Sequence, residues 1–283
     1  MLLLNGKEVA SLANDSLKEI VKSLRAHDVV PKLCVIQVGD DAASSVYVRN
    51  KQKACEYVGI ESKTIRLDSC VTQTGLIAII KELNNDDSVN GILVQLPLPK
   101  HINVQEVMDA IDPMKDVDCF NSINMGKLVL GNADQEPCTP QGIMQILDVY
   151  NIDVEGKHCV VVGRSNIVGK PMAAMLINEN ATVTLCHSKT KNLKEICKQA
   201  DILICAIGKP KFFNEEYVKD GAIVIDVGIH RMDDGKLCGD VDFDAVKDKA
   251  SAITPTPGGT GPVTVSMLVA NVIAATMNQY INK

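Results

Sequence analysis

The stretch Val160-Val161-Val162-Gly163-Arg164-Ser165-Asn166-Ile167-Val168-Gly169-Lys170-Pro171 reads as a buried strand that turns through a glycine into a helix. Three consecutive β-branched residues suit a strand covered on both faces, and Gly163 ends them at a tight turn that a larger side chain does not tolerate. Pro171 suits a first helical turn, where its missing N–H costs nothing. A helix beginning here offers unpaired N–H groups and the positive end of its dipole to a phosphate, so the stretch reads as a dinucleotide site. The spacing departs from G-x-G-x-x-G: Ser165 and Val168 stand at the second and third glycine positions, and the next glycine is Gly169. Many α/β folds have such a turn, and the next strand narrows the choice. Thr182-Val183-Thr184-Leu185-Cys186 runs into His187-Ser188-Lys189, with no Asp or Glu where NAD-binding folds hold the ribose hydroxyls. Arg164, one residue past the turn glycine, has a guanidinium that can fork onto a 2′-phosphate. The charge pattern favours NADP over NAD.

Outward from this stretch, helix and strand alternate. Residues 10–24 carry a helical pattern, 32–38 a strand ending at Gly39, and 42–58 a helix closed by Gly59, suited to a left-handed cap. Residues 61–67, 72–83 and 90–95 continue as strand, helix, strand. In the second half, Thr139 is expected to cap a helix over 141–150, and strands are expected at 202–206 and 222–226, each ending near a glycine. Residues 263–277 read as a buried helix interrupted by Asn271 and Thr276. Alternation at this spacing implies right-handed βαβ units, hence an α/β protein with parallel sheets whose clefts open beyond the carboxyl ends of the strands. Gly258-Gly259-Thr260-Gly261, before the last helix, is either a loop needing unusual backbone angles or a close approach to a nicotinamide.

The helix over 42–58 is informative residue by residue. At about 100° per residue, Ser44, Tyr47, Lys51, Ala54 and Val58 share one face, while Arg49, Lys53 and Glu56 lie on the other. Lys51 therefore points with the core-facing residues. Either it lays its stem along apolar surface and puts its ammonium into water, or the ammonium sits in a cleft where desolvation suits it to proton transfer. Gln95, inside Gly91-Ile92-Leu93-Val94-Gln95-Leu96-Pro97, needs hydrogen-bond partners, because leaving them unmade costs on the order of 1–3 kcal/mol. Backbone, a ligand or Lys51 can fill that role. Asp116-Val117-Asp118 lies in a turn-rich segment where carboxylates are usually solvated.

Composition excludes several classes. The net charge of −6, without a long basic run, argues against a nucleic-acid surface. Five tyrosines, four phenylalanines and no tryptophan leave an aliphatic core. Ten cysteines without a C-x-x-C pair read as reduced thiols of a cytoplasmic protein. The apolar opening Met1-Leu2-Leu3-Leu4 is too short for a signal peptide, and no uninterrupted apolar run approaches a membrane span. The five histidines show no metal-ligand spacing, so no metal is expected.

Six motifs occur in one order: Tyr47-x-x-x-Lys51-x-Lys53, Val94 to Pro99, Asp116-Val117-Asp118, Pro137-Cys138-Thr139-Pro140, the Gly163 to Pro171 turn, and Pro255-Thr256-Pro257-Gly258-Gly259-x-Gly261-Pro262. Together the chain resembles the bifunctional methylenetetrahydrofolate dehydrogenase/methenyltetrahydrofolate cyclohydrolase family over almost its whole length. The resemblance implies two α/β domains with a cleft between them: a folate-binding catalytic domain over 1–120 and a Rossmann-like NADP-binding domain over 121–283, the final helix (262–283) packing back on the first. It implies that Lys51 is the cyclohydrolase acid/base group, that Gln95 tunes it, that Tyr47 stacks on the folate and that Asp118 anchors the pterin. Gly163, Arg164, Ser165, Ser188 and Ile229 would hold NADP, and the protein would be a homodimer acting on tetrahydrofolate derivatives. Cys119 departs from the family's usual glycine, and Thr260 and Val263 from its usual valine and methionine. Two competing readings are an NADP-dependent dehydrogenase of another small substrate, with Lys51 structural, and a non-catalytic nucleotide sensor that kept the fold.

Overall fold

The structure, a computed structural model, describes residues 1–281. In chain order the first half holds β1 (Leu2–Leu3), α1 (Gly6–Ala26), β2 (Lys32–Val38), α2 (Ala42–Val58), β3 (Glu61–Leu67), α3 (Gln73–Asn84), β4 (Gly91–Val94), α4 (Val104–Asp109), α5 (Ser122–Val129) and α6 (Cys138–Val149). The second half holds β5 (His158–Val162), α7 (Gly169–Asn178), β6 (Thr182–Cys186), α8 (Leu193–Cys197), β7 (Ile202–Cys205), β8 (Ile223–Asp226), β9 (His230–Arg231), β10 (Leu237–Cys238), α9 (Phe243–Val246), β11 (Ala252–Ile253) and α10 (Thr260–Ile281). The chain forms two compact units. One comprises Met1–Ala10 with Thr139–Thr264; the other comprises Ser11–Cys138 with α10 from Val265 on. The breaks fall within α1, at the start of α6 and within α10.

The first unit is built on a six-stranded parallel sheet of order β1-β11-β8-β7-β5-β6. Val160, Val161 and Val162 are buried on both faces, as their unbroken β-branched run requires. From β5 the chain steps outward to β6 and then returns to β7 on the other side, so strand order reverses at β5. Ligands of open α/β sheets bind beyond the carboxyl ends of the strands at such a reversal. Strands β1 and β11 pair over only Leu2↔Ala252 and Leu3↔Ile253, too short to show a period in sequence.

The second unit has a three-stranded parallel sheet, β3-β2-β4, with β2 central and six of its seven residues buried. Ile36, Leu76, Ile80, Ile92, Val94 and Met108 form its core. Local signals set its helix ends. Asp41 caps α2 by accepting from the Ser44 N–H (2.7 Å), and Gly59 closes it at φ +96°, its N–H reaching the Cys55 carbonyl. An N-cap of this kind contributes about 1 kcal/mol.

Three helices differ from the sequence expectation. Helix α1 starts at Gly6 because Asn5 accepts from the Lys7 N–H (3.1 Å) and donates to Glu8 (2.8 Å), an N-x-x-E start signal. Helix α6 starts at Cys138, so Thr139 lies inside it rather than capping it, and Pro140 still falls where no N–H is needed. Helix α10 runs from Thr260 and is, among the described residues, long and apolar enough to cross a membrane by length and composition, although polar residues interrupt its apolar runs, as the sequence predicts. Most of it is buried, and its polar residues Ser266, Asn271 and Thr276 are buried too, which marks a core helix.

Candidate active site

In the unit built on β2, the buried stripe of α2 is Ser44, Val48, Lys51, Cys55 and Val58, with Tyr47 half-buried on its shoulder. Arg49, Lys53 and Glu56 are exposed, as their side of the helix predicts. Lys51 is only 8 % exposed, so its stem is packed inward with the rest of this stripe rather than laid across open surface. It donates to Gln95 Oε1 at 3.2 Å. Gln95, just past β4, is itself anchored: its Nε2 donates to the Leu96 carbonyl at 2.8 Å, which leaves Oε1 turned toward the lysine. The contact uses one of the three donors of the ammonium.

Asp118 belongs to the same neighbourhood. The Cys138 thiol donates to the Val117 carbonyl (3.3 Å) and to Asp118 Oδ1 (3.6 Å). Burial drives this thiol well above its ordinary pKa, the Asp118 charge adds to that, and the Lys51 charge opposes it. Cys138 thus lies within electrostatic reach of both the lysine and the aspartate. The loop that presents Asp118 is wrapped around Asp116, which is buried and accepts from the N–H groups of Cys119 (3.1 Å) and Asn121 (2.8 Å) and from Asn124 Nδ2 (3.1 Å). Burial pushes Asp116 up to about 6. The expectation of solvated carboxylates therefore does not hold for Asp116; the neighbouring Lys115 is buried too and donates to the carbonyls of Leu83, Asn84 and Asp86 at the end of α3. Cys119 takes φ +59°, the left-handed geometry for which glycine is suited, and keeps its N–H on Asp116.

Sequence reasoning missed Asn271. Buried on α10, it donates to the carbonyls of Val117 and Glu136 (2.9 Å each) and so ties the Asp118 loop to the segment leading into Cys138. Its signal was a lone amide in an apolar helix, which needs partners as Gln95 does.

In the unit built on β5, Gly163 sits at φ +130°, and a Cβ there would collide with the Ala206 carbonyl oxygen. A Cβ on Gly169 would collide with the Gly163 carbonyl, so Gly169 does the close helix packing that the usual third glycine does one position earlier. Ser165 Oγ accepts from the N–H groups of Val168 (3.1 Å) and Gly169 (3.5 Å), capping the entry to α7. Val162 pairs in register with Cys186; Arg164 and Ser188 each lie two residues beyond that pair, and both are exposed. Ile229 is exposed beyond β8, two strands from β5. The departures Thr260 and Val263 are built into this unit: the Thr260 hydroxyl donates to the Asp226 carbonyl (3.2 Å), and Val263 is buried against Gly142. The turn offers donors and a cation and no carboxylate at the end of β6, which suits a dinucleotide carrying an additional phosphate. Among the described residues, no group of His, Cys, Asp and Glu is placed to hold a metal ion.

A Rossmann-like sheet with a phosphate-type turn, joined in one chain to an α/β unit that buries a lysine against an amide, defines a nicotinamide-dinucleotide enzyme with a separate substrate-handling unit. The chain belongs to the tetrahydrofolate dehydrogenase/cyclohydrolase family: the family's catalytic-domain model matches residues 4–118 and its NAD(P)-binding-domain model residues 137–280. It is 59 % identical over 273 residues to the bifunctional protein FolD of Agathobacter rectalis, covering 96 % of this chain and 98 % of that one. Among solved structures it is similar to the bifunctional FolD enzyme of Campylobacter jejuni (48 % identity, TM-score 0.96, 98 % and 99 % of the two chains covered). It is also similar to the Trypanosoma brucei enzyme solved with NADP and an inhibitor (37 % identity, TM-score 0.94, 99 % and 98 % covered).

Proposed function

We propose that the chain oxidises 5,10-methylenetetrahydrofolate to 5,10-methenyltetrahydrofolate with NADP+ and hydrolyses that product to 10-formyltetrahydrofolate, with Lys51 as the proton carrier of the second step. NADP+, when bound, supplies the hydride acceptor. For the oxidation the protein provides alignment and no side-chain base, because the nitrogen lone pair beside the reacting carbon stabilises the cation that forms. Gly163 lets the backbone approach the dinucleotide, Arg164 and Ser188 meet its phosphates, Ser165 shapes the helix entry, and Ile229 lines the rim.

In the hydrolysis, water adds to the methenyl carbon and loses a proton, and the departing ring nitrogen gains one as the C–N bond breaks. Lys51 shuttles that proton, Gln95 fixes the direction of its Nζ, Tyr47 stacks on the folate, and Asp118 accepts from the pterin. The Lys51–Gln95 hydrogen bond, made by a buried lysine, is the observation that carries this reading, since drawing an ammonium away from water is costly unless it is used or paired. The acidic charge and ten unpaired thiols support a cytoplasmic setting without nucleic-acid or membrane partners, and the family likeness supports a homodimer.

The test is Lys51→Met. Hydrolysis of methenyltetrahydrofolate should fall by about 10²–10⁴-fold while a measurable part of the NADP+-dependent oxidation, followed spectrophotometrically, remains. Hydrolysis at the parent rate would remove Lys51 from the mechanism.

A further inference from the structure

Two buried carboxylates in the unit built on β5 have no place in the chemistry above. Asp226 closes β8, and Asp240 lies two residues past β10, 0 % exposed. Asp240 Oδ2 accepts from the backbone N–H groups of Ile207 (2.6 Å) and Gly208 (2.9 Å). Its Oδ1 accepts from the Lys209 N–H (2.8 Å) and from His230 Nε2 (2.8 Å). Four donors match the roughly four lone-pair sites of a carboxylate. The backbone of Asp240 is held as firmly: its N–H donates to Asp226 Oδ1 (2.9 Å), and its carbonyl accepts from the N–H of the fully buried Phe213 (2.9 Å).

What this carboxylate joins is specific. Residues 207–209 leave the carboxyl end of β7, with Gly208 at φ +68°. Ala206, just before them, sets its carbonyl against Gly163. His230 follows Ile229 past the carboxyl end of β8. One side chain therefore ties together the loops after two adjacent strands, on the rim where a sheet of this topology takes its cofactor. Three consecutive N–H groups turned onto Asp240 are not available to a phosphate, so this turn presents a ligand with acceptors and side chains only. In the reading above, phosphate recognition falls to the Gly163–Ser165 turn with Arg164 and Ser188, and the acceptors left on the 207–209 turn suit a donor-bearing part of a dinucleotide, an amide or hydroxyl group.

We propose that Asp240, oriented by His230, is a positioning residue of the dinucleotide site: without touching the cofactor, it holds the 207–209 turn in the shape that receives it. The proposal rests on the NADP-linked reading above. A merely structural role predicts that both activities decline together when Asp240 is altered. The hydrolytic reaction uses no dinucleotide and is an internal control.

The experiment measures NADP+ binding to the full chain by calorimetry, together with both activities, in Asp240→Asn, His230→Ala and His230→Gln. Asp240→Asn keeps the shape but turns an acceptor into a donor facing N–H groups. It should raise the Kd and KM for NADP+ by about tenfold or more, with kcat changed less than about threefold and hydrolysis within about twofold of the parent. His230→Ala should raise the NADP+ Kd by about threefold or more, and His230→Gln, which still donates, should recover most of that. A parallel fall of both activities, or an NADP+ Kd within about twofold of the parent in both Asp240→Asn and His230→Ala, overturns the proposal. Should Asp240→Asn not fold, the two His230 variants decide by the same Kd criterion. A parent chain that binds NADP+ but catalyses neither reaction defeats the functional reading, and the Kd comparison still decides the role of Asp240.

Discussion

The candidate sites of the unit built on β2 and the unit built on β5 both lie at the carboxyl ends of a parallel sheet, yet they are made of different atoms. The first is made of side chains: Lys51 is buried, Gln95 and Asp118 are half-buried, and each is held by a specific partner. The second is made of backbone: Gly163 and Gly169 lack side chains so that main-chain atoms come close, while Arg164 and Ser188 stand exposed. A buried side-chain site is sensitive to charge and proton position. A backbone site is sensitive to shape, and its exposed charges add selectivity more than structure.

That contrast breaks most readily at Gly163. Gly163→Ala forces a Cβ against the Ala206 carbonyl at a positive φ, and the unit should lose about 3 kcal/mol of stability in urea unfolding, with NADP+ binding lost alongside. An alanine variant of parent stability and affinity would mean that the turn is far softer than its geometry implies. At the margin of the same site, Arg164→Ala should leave stability unchanged within about 0.5 kcal/mol and weaken NADP+ by about tenfold or more, against less than about threefold for NAD+. Equal loss of both cofactors would defeat the assignment of the additional phosphate.

The buried side-chain unit should instead answer to pH. Asp116 titrates at about 6 when folded and in the ordinary carboxylate range when unfolded, so between about pH 4 and 6 the folded chain keeps a proton that the unfolded chain has released. The stability this group contributes is full below that window and is lost as pH rises through about 6. Asp226, pushed up to about 6 by burial, acts in the same direction in the other unit. Across the window, Asp116→Asn should gain up to about 2 kcal/mol relative to the parent, read as a difference between their urea midpoints at each pH. A constant difference would place the Asp116 titration elsewhere. The smallest effect is expected at Cys119. Glycine there relieves the positive φ but gives up a buried thiol, so Cys119→Gly should stabilise by no more than about 1 kcal/mol in thermal unfolding. A loss larger than that would show that the thiol's packing outweighs the backbone strain.

Much of this was legible in the residues. Helix α2 and strand β3 lie where the pattern put them, at Ala42–Val58 and Glu61–Leu67, because an inward stripe and an αL glycine are local signals. The inward direction of Lys51 followed from the same periodicity, but its partner did not. Two residues 44 apart in sequence meet only because β2 and β4 pair in parallel and bring the end of β4 beside α2. Asp116 was misread as solvated because a turn-rich sequence says nothing about what folds over it. Asn271, 154 residues from Val117, and Asp240, 33 residues from Ile207, serve backbone groups that no periodicity points to.

By itself the sequence determined the parallel α/β class, the glycine turn with its cation, the absence of a ribose carboxylate and the face on which Lys51 lies. These are properties of neighbours along the chain, where backbone geometry and helical period act over a few residues. Only the tertiary structure decided that the lysine meets Gln95, that Cys138 lies within reach of both Lys51 and Asp118, and that one sealed carboxylate gathers the loops after β7 and β8. Those depend on which distant polar groups burial forces together, since each must find its hydrogen bonds inside the protein once water is excluded.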